Sequence, residues 1–519
     1  MTVRHLDDLL GRVTMYRLVT ILLALLAGVA FVLSATGVLD RSIFPLRQMA
    51  LALTVLLVAS VASSRLFGLL FRLRPHTESA VITALLMWFL YWPPATSSSF
   101  AWLAGAAILA NASKYLLAVR GRHVFNPAAV GPLLVVVIQQ LMSMSPGDRL
   151  YTTWWVANEP MLPFVVIGAL LVLRRTHRVW LGAVFVAVGG ILIFASLLAL
   201  GTETSSAVEQ TFYSYPLVFL AGFMLSEPLT LPPRRCQQLG AAALAGVVVS
   251  LPVLWPALTD RPFEVWAFTS TTELALIAAN LVGLACGQRR GIRLQFLGKR
   301  ELSDSVWEFR FEPMRPVRFT PGQYLELDLP NRGADRRGTR RIFSISSPPD
   351  QRELTIALRI PPEPSTFKQA LAACRPGDVV RATSVSGDFV LPRTGRVLLV
   401  AGGIGITPFA SQLRALDTHD VDAVLVYGVP DAHDVAYRDV LIAAGIPVVL
   451  VAPSPPDDLP PGWTHVTGTA IRADELTAAI TDLGARRAYV SGPPAMVHTV
   501  RGSLRRHVAG TRSDYFSGY

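Results

Sequence analysis

The stretch GQRRGIR (287–293) separates two kinds of sequence in this chain of 519 residues. Before it, long apolar runs alternate with short polar gaps, and after it charged residues recur every few positions. The chain is 52% hydrophobic and 16% charged, with a mean hydropathy of +0.44, whereas soluble proteins carry about a quarter charged residues. These values exclude a wholly cytosolic enzyme and a disordered or fibrous chain.

Ten apolar runs precede this stretch, most of them near the length of about 20 residues that crosses a bilayer as a helix. They predict that residues 1–290 form a multi-pass α-helical membrane bundle of about ten helices. The runs lie near 18–37, 48–64, 79–93, 101–119, 128–145, 161–174, 180–200, 213–226, 238–257 and 271–286.

Positive charge tests this arrangement, because cytoplasmic loops of membrane proteins are enriched in Arg and Lys. The segments on one side of the predicted bundle carry 16 such residues and those on the other side carry four, Arg41, Arg47, Arg149 and Arg261. We therefore expect a cell-membrane protein with its N-terminus and its second half in the cytoplasm. The net charge of +11 is explained by this bias, so no nucleic-acid partner is predicted.

Cysteine and histidine usage excludes several kinds of cofactor. The three cysteines, Cys236, Cys286 and Cys374, are too few and too far apart for a disulfide framework, a zinc site or a cysteine-bound iron–sulfur cluster. No histidine falls well inside a predicted span, whereas a haem-carrying membrane reductase needs axial ligands on its helices. No metal site is predicted.

The second half changes pattern near residue 394. Residues 294–393 contain short alternating segments separated by turn signals, which predict an antiparallel β-barrel. Residues 395–519 alternate apolar strands with helical stretches, which predicts a doubly wound α/β domain.

Three motifs in this half resemble those of the ferredoxin–NADP reductase family. RRIFSISSPP (340–349) resembles its flavin signature, VLLVAGGIGITPF (397–409) its nicotinamide-nucleotide loop, and SGPPAMV (491–497) its third signature. The resemblance covers about 225 residues and implies an NAD(P)H-dependent flavin oxidoreductase that holds FAD.

The resemblance also implies roles for individual residues of the flavin site. Arg341 would bind a flavin phosphate, because its guanidinium is a fork of donors. Phe343 would stack on the flavin where the family usually has Tyr, and Ser344 would approach the flavin N5 as a catalytic residue. Further cofactor-binding residues are Gln323 and Tyr324 in the GQY motif (322–324), together with Ile342.

PEPSTFKQAL (362–371) resembles the element that holds the second phosphate of FAD. Ser365 and Thr366 would bind this anion at a helix N-terminus, and their presence favours FAD over FMN. The ordinary alternative is that Ser365 caps a helix. The chain ends in DYFSGY, and either Phe516 or the catalytic Tyr519 resembles the aromatic end that covers the flavin in this family; a disordered tail is the alternative.

The nicotinamide nucleotide would bind where glycines separate a strand from a helix, because the backbone must closely approach a pyrophosphate there. Positions 429–432 provide no Arg or Lys for a 2′-phosphate, which favours NADH, although Arg438 leaves NADPH open. The predicted contact residues are Gly402, Gly403, Gly405, Thr407, Pro408, Gly492, Pro493 and Met496.

Two elements of the membrane half resemble the membrane flavoprotein subunits of the sodium-translocating NADH:quinone oxidoreductase and of the related Rnf complexes. They are NASKYLLAVRGRHVFNPAAVGPLLV (111–135) and LAGFMLSEPLTLPPRR (220–235). The resemblance implies FMN or riboflavin in the membrane domain, and we expect Asn126, Glu227 and Thr230 to contact it. The alternatives are a helix cap for Asn126 and a solvated cap at the membrane edge for Glu227.

Members of this second family attach a flavin to a Thr in a Ser-Gly-Ala-Thr-like motif. The corresponding loop, GTETSSAVEQTF (201–212), has hydroxyl side chains but no Gly-Ala pair, which counts against covalent attachment.

The sequence therefore predicts a transmembrane electron-transfer oxidoreductase. Electrons would pass from NAD(P)H to FAD on the cytoplasmic face, and then through a membrane-domain flavin to an extracytosolic flavoprotein or quinone acceptor. The alternative is a membrane-anchored NAD(P)H:flavin reductase that serves a cytosolic acceptor, with the bundle as an anchor or transport module.

Overall fold

The computed structural model describes residues 15–71, 77–119, 122–176, 178–263, 271–286, 291–329, 339–416, 420–472, 476 and 480–515. The chain divides into two compact units, Met1–Arg289 and Arg290–Tyr519. The division falls inside the GQRRGIR stretch, where the composition changes.

The first unit is helical. Its apolar runs form helices because they are rich in Leu, Ala and other good helix formers and because their faces bury against one another. The main helices are α1 (Met15–Ala35), α2 (Leu46–Leu70), α3 (Thr77–Leu90), α4 (Ser97–Leu116), α5 (Pro127–Leu141), α6 (Leu162–Arg175) and α7 (Val179–Ala199), with α8 (Thr204–Glu209), α9 (Leu217–Phe219), α10 (Arg235–Thr259) and α11 (Thr272–Ala285) after them. A two-stranded hairpin, β1 (Ala118–Val119) and β2 (Arg122–His123), precedes α5.

Four of these helices are long and apolar enough to cross a membrane: α1, α2, α7 and α10. Shorter apolar helices are α3, α5 and α11. The structure thus supports membrane association through four helices in its described part, which is fewer than the ten spans that the sequence predicts.

The predicted span near 213–226 differs most from a regular helix. The segment Gln210–Ser214 is π-helical, α9 is only three residues long, and Leu220–Leu225 is π-helical again. Pro216 explains the break, because proline has no N–H and its ring clashes with the carbonyl of the preceding turn. This segment is consequently not one continuous helix of membrane-spanning length.

The second unit begins with a six-stranded antiparallel sheet, as the sequence predicts. The strand order is β6-β5-β8-β3-β4-β7, and a bridge between Ile345, just after β6, and Ile356 of β7 connects the two edges of the sheet. Side chains such as Leu325 and Leu327 point into its core. The elements are β3 (Ile292–Ser303), β4 (Val306–Pro313), β5 (Tyr324–Asp328), β6 (Arg340–Ser344), β7 (Leu354–Arg359), α12 (Thr366–Ala372) and β8 (Val379–Ser386).

A six-stranded parallel sheet follows and confirms the predicted doubly wound domain. Its order is β12-β11-β10-β9-β13-β14. The strands that follow β9 are therefore added first on one side of it, up to β12, and then on its other side, beginning with β13. Ligands of such sheets bind beyond the carboxyl ends of the strands at this switch point. The elements are β9 (Thr394–Gly402), α13 (Thr407–Arg414), β10 (Asp420–Gly428), α14 (Arg438–Ala443), β11 (Val448–Ala452), β12 (Trp463–Thr467), β13 (Arg487–Gly492), α15 (Pro494–Leu504) and β14 (Gly510–Tyr515).

Candidate functional site

A pocket in the second unit has walls from both of its domains. Phe343 and Ser344 line it from the end of β6, and Ile404 and Thr407 line it from the loop after β9 and the start of α13. The predicted flavin motif and the predicted nucleotide loop therefore face one space. The remaining lining residues are Ala357, Leu358, Arg359 and Lys368.

Ser344 fits a ligand in this pocket. It is 2% exposed, and its Oγ has no hydrogen-bond partner of good geometry among the described residues. A buried polar atom without a partner costs free energy unless something binds it. The hydroxyl lies on the pocket wall beside Phe343, where the edge of a flavin ring would give it a partner.

Asp514 belongs to the site although no motif predicts it. In the parallel pairing of β13 with β14 it lies opposite Ser491, near the carboxyl ends of the two strands. Burial raises the pKa of its carboxyl to about 7, the charge of Asp388 adds to the rise, and the nearby Ser344 hydroxyl opposes it. The group thus titrates near neutral pH beside the pocket.

The terminal DYFSGY segment contained a signal for Asp514, because an acidic residue stands there beside aromatic ones. Only the aromatic residues, Phe516 and Tyr519, match the pattern of the resembling family, and both lie outside the described part of the chain. Their predicted roles stay predictions.

Arg341 reaches from β6 to the helix α12. Its guanidinium carbon lies 5.3 Å from the centre of the Phe367 ring, and its Nη1 donates to the carbonyl of Arg340 at 2.7 Å. Phe343 is buried with its ring centre 5.8 Å from that of Phe367. The cation thus lies near the first turn of α12, while the neighbouring Ile342 is 45% exposed.

Ser365 caps α12, as the ordinary alternative predicts. Its Oγ accepts a hydrogen bond from the backbone N–H of Lys368 at 3.4 Å, and Thr366 is the first residue of the helix. The Ser365 hydroxyl therefore has a structural partner already, and its predicted role in binding phosphate stays a prediction.

The GQY motif holds the barrel together. Gly322 has φ +92°, and a Cβ there would lie 2.0 Å from the carbonyl oxygen of Phe389, so only glycine fits. The Gln323 side chain accepts from the N–H of Thr320 at 2.8 Å and donates to the carbonyl of Gly387 at 3.0 Å. Tyr324 pairs with Ser344 across β5 and β6. Both ends of the Gln323 amide are thus occupied by backbone.

The nucleotide loop contains glycines for two different reasons. Gly403 has φ +52° and open space where a side chain would begin. A Cβ on Gly405 would lie 2.3 Å from the carbonyl oxygen of Ser491, because the loop packs against β13. Thr407 is buried and donates to the carbonyl of Ile404 at 2.7 Å, and Pro408 follows it in the first turn of α13. The loop is therefore packed against β13 at Gly405 and open at Gly403.

The third motif packs directly against this loop. A Cβ on Gly402 would lie 2.1 Å from the Met496 sulfur and 3.4 Å from Pro493. Gly492 has φ +153° and would bring a Cβ within 3.1 Å of the carbonyl oxygen of Gly402. Both motifs thus meet at the switch point between β9 and β13.

The two elements of the helical unit also meet. Asn126 is 3% exposed, its Oδ1 accepts from the N–H of Ala128 at 3.0 Å, and its own N–H donates to Asn280 Oδ1 at 2.7 Å. Asn126 Nδ2 lies 3.5 Å from the carbonyl oxygen of Met224. Asn126 is thus the cap of α5, as the alternative predicts.

Glu227 lies 3.1 Å from the Nε2 of His123, so it is paired with another side chain and is not a solvated cap. Thr230 is fully buried, and its Oγ1 donates to the carbonyl of Glu227 at 3.3 Å. These contacts join the segment before α5 to the segment after the π-helical turn.

Comparison with known proteins identifies the second unit. The sequence model of the family described as "Oxidoreductase NAD-binding domain" matches residues 399–502. The toluate 1,2-dioxygenase electron transfer component of Pseudomonas putida is 31% identical over 243 residues, which are 45% of this chain and 68% of that protein. The chain belongs to the ferredoxin–NADP reductase-like flavoprotein reductases. It is thus an NAD(P)H-dependent flavin oxidoreductase, as its motifs predict.

Two other members of this family are similar over shorter stretches. The reductase subunit of an aromatic O-demethylase from Amycolatopsis is 31% identical over 38% of this chain and 60% of its own. An NADPH oxidoreductase of Mycobacterium tuberculosis is 32% identical over 30% of this chain and 42% of its own. The chain therefore spans about half the length of these two relatives.

Proposed function

We propose that the chain is a transmembrane electron-transfer oxidoreductase. It would take electrons from NAD(P)H on the cytoplasmic face and pass them through the helical unit to an extracytosolic flavoprotein or quinone. The observation that carries this proposal is that a reductase is continuous with a helical unit in which two non-helical segments, 123–126 and 226–234, contact each other. Non-helical backbone at membrane depth is tolerated where it lines a protein cavity.

When bound, FAD would supply the chemistry that links hydride transfer from NAD(P)H to one-electron transfer. The chain would bind and orient it. Arg341 lies near the start of α12, where its charge suits a phosphate, and Phe343 provides an apolar wall. The Ser344 Oγ, which makes no hydrogen bond of good geometry among the described residues, would offer one at the edge of the ring. Asp514 can hold or release a proton next to this hydroxyl near pH 7.

For the nicotinamide nucleotide we propose NADH. The open face of Gly403 leaves room for a pyrophosphate at the start of α13, where backbone N–H groups favour anions. Arg438, the cation that left NADPH open, lies 3.1 Å from Asp458. A cation with a carboxylate partner is a poorer ligand for a 2′-phosphate.

In the helical unit we propose FMN or riboflavin near Asn126, Glu227 and Thr230. The pairing of Glu227 with His123 and the bond from Asn126 to Asn280 bring amide, imidazole and carboxyl groups into one region. Polar and ionisable groups inside a membrane domain are rare and commonly mark a functional site. A flavin there would be the first carrier on the path across roughly 30 Å of hydrocarbon.

The test is vectorial. The vesicles are sealed and inside-out, so that the cytoplasmic face, on which the charge distribution predicts the reductase unit, faces outward. They receive NADH outside and a membrane-impermeant electron acceptor inside. We expect reduction of the enclosed acceptor. If NADH is oxidised only when the acceptor is on the same side as NADH, the transmembrane route is wrong.

That second outcome would favour the alternative, an anchored reductase for a cytosolic acceptor. The name of the toluate dioxygenase relative, an electron transfer component, favours it. The same vesicles with an oxygenase or ferredoxin-type acceptor outside would then show turnover that is independent of the enclosed compound.

A further inference from the structure

The carboxylate of Glu308 is buried between the barrel and the nucleotide-binding domain. Glu308 lies on β4 and is 3% exposed. One of its oxygens, Oε1, accepts from Tyr437 Oη at 3.0 Å and is 3.4 Å from Ser346 Oγ. The other, Oε2, accepts from Arg300 Nη2 at 3.0 Å. Glu308 thus joins the barrel strand β4, the segment after β6 and the segment after β10.

Tyr437 ends the loop that follows β10 and immediately precedes α14. It is 1% exposed, and its backbone has φ +60°, a conformation that costs free energy in an aromatic residue. Burial and the charge of Glu308 raise the pKa of Tyr437 well above its ordinary value, so the hydroxyl is neutral and donates. The surrounding contacts therefore keep Tyr437 in a strained backbone conformation, and the hydrogen bond to Glu308 is one of these contacts.

Arg414 completes the group from the nucleotide-binding side. Its guanidinium carbon lies 5.2 Å from the centre of the Tyr437 ring, and its Nη1 donates to the carbonyl of Ser346 at 2.8 Å. Arg414 is the last residue of α13, the helix that Thr407 begins at the pocket. Ser346 follows Ser344 by two residues. Arg414 is therefore connected through α13 to the side of the pocket that the nucleotide loop forms. Ser346 is connected along the chain to the side that the end of β6 forms.

We propose that Glu308 and Tyr437 are positioning residues for hydride transfer: their hydrogen bond fixes the nucleotide loop at a set distance from the flavin strand. This inference rests on the proposed use of the pocket by FAD and NADH. Neither residue is among those that line the pocket, so both would act through Arg414 and Ser346. Because a misplacement of about 1 Å can cost two orders of magnitude in rate, such a tie between domains matters for the chemical step.

The first test is Tyr437→Phe in the full chain, purified in detergent with FAD. The change removes one hydroxyl and keeps the ring that packs under Arg414. We expect the rate constant of flavin reduction at saturating NADH to fall roughly ten- to a hundredfold, with FAD content unchanged. Amide hydrogen exchange, which does not depend on turnover, should quicken in residues 345–347 and 429–437.

Glu308→Gln is the second variant, because it keeps the side-chain size and removes the charge that Arg300 faces. Glu353→Gln is the matched control. Glu353 lies on the barrel surface and accepts two hydrogen bonds of 2.8 Å from Arg310. We therefore expect Glu353→Gln to leave the rate of flavin reduction and the amide hydrogen exchange unchanged.

The outcomes separate the alternatives. A normal reduction rate with normal exchange in Tyr437→Phe would overturn the proposal. An equal loss of FAD content, thermal stability and rate would show a purely structural role and would also overturn it. A wild-type chain that does not oxidise NADH would instead refute the proposed function, whatever the variant does.

Discussion

Ser344 in the reductase unit and Asn126 in the helical unit are both buried polar residues at predicted flavin sites, but their side chains differ in what they bind. The Ser344 hydroxyl makes no hydrogen bond of good geometry among the described residues, although the Asp514 carboxyl lies close to it. The Asn126 amide caps α5 and faces the carbonyl of Met224. A buried polar atom without a partner indicates a ligand, whereas a satisfied one is already explained by the fold. The predicted flavin site of the reductase therefore has a structural feature in its favour that the proposed membrane flavin site lacks.

The largest effect should come from Gly403→Val. A β-branched side chain at φ +52° would be strained and would fill the open space above the loop. We expect NADH oxidation to fall by roughly a hundredfold or more, while FAD stays bound.

Gly445→Val is the control, because Gly445 has φ +63° and also has open space beside it. If both variants lose activity equally, backbone strain and not ligand access explains the loss. Steady-state NADH oxidation and the flavin absorbance of the purified protein decide between these explanations.

Arg341→Ala should weaken FAD binding. Loss of a charged hydrogen bond costs about 1.5–3 kcal/mol, which corresponds to roughly ten- to a hundredfold in affinity. The measurement is flavin released on dialysis, with Arg340→Ala as the neighbouring control, since Arg340 faces Asp328 at 3.6 Å. Full FAD retention in Arg341→Ala would remove this residue from the site.

A pair of variants can break the contrast between Ser344 and Asn126. Ser344→Ala should slow flavin reduction by about tenfold without lowering the melting temperature, because the hydroxyl makes no hydrogen bond of good geometry among the described residues. Asn126→Ala should lower the free energy of unfolding by about 1 kcal/mol through loss of the helix cap. If Ser344→Ala melts early with normal reduction, the contrast between the two sites is false.

Asp514 should produce the smallest effect, a dependence on pH. Its folded-state pKa of about 7 is above the ordinary value of 3.8, so the folded protein favours the protonated form. Stability is therefore greatest below about pH 4 for this group and is lost as the pH rises through 7. Asp514→Asn should flatten the stability curve between about pH 4 and 7 and the flavin-reduction rate between about pH 6 and 8. A wild-type curve that is already flat would contradict the role given to Asp514.

Local sequence predicted much of the reductase unit. The alternating segments indicated the antiparallel sheet, and the strand–glycine–helix pattern indicated the doubly wound sheet, because each depends on neighbours along the chain. Local sequence could not predict pairs that are remote along the chain. The bond between Tyr437 and Glu308 joins residues 129 positions apart, and that between Asn126 and Asn280 joins residues 154 apart.

One further difference has a physical cause: the hydropathy of 213–226 predicts one span, but Pro216 breaks it. The Gln323 amide bonds to two backbone groups, which the local motif does not show, and its predicted contact with the flavin stays a prediction. The local sequence shows which polar side chains a segment carries, whereas the hydrogen-bond partner of each side chain depends on tertiary packing.

The most direct test of the transmembrane route is the flavin content of the full chain in detergent, measured on wild type and on Arg341→Ala. We expect two flavins per wild-type chain, and loss of FAD alone in the variant with FMN or riboflavin retained. One flavin per wild-type chain, identified as FAD and lost in the variant, would contradict the proposed route through the helical unit.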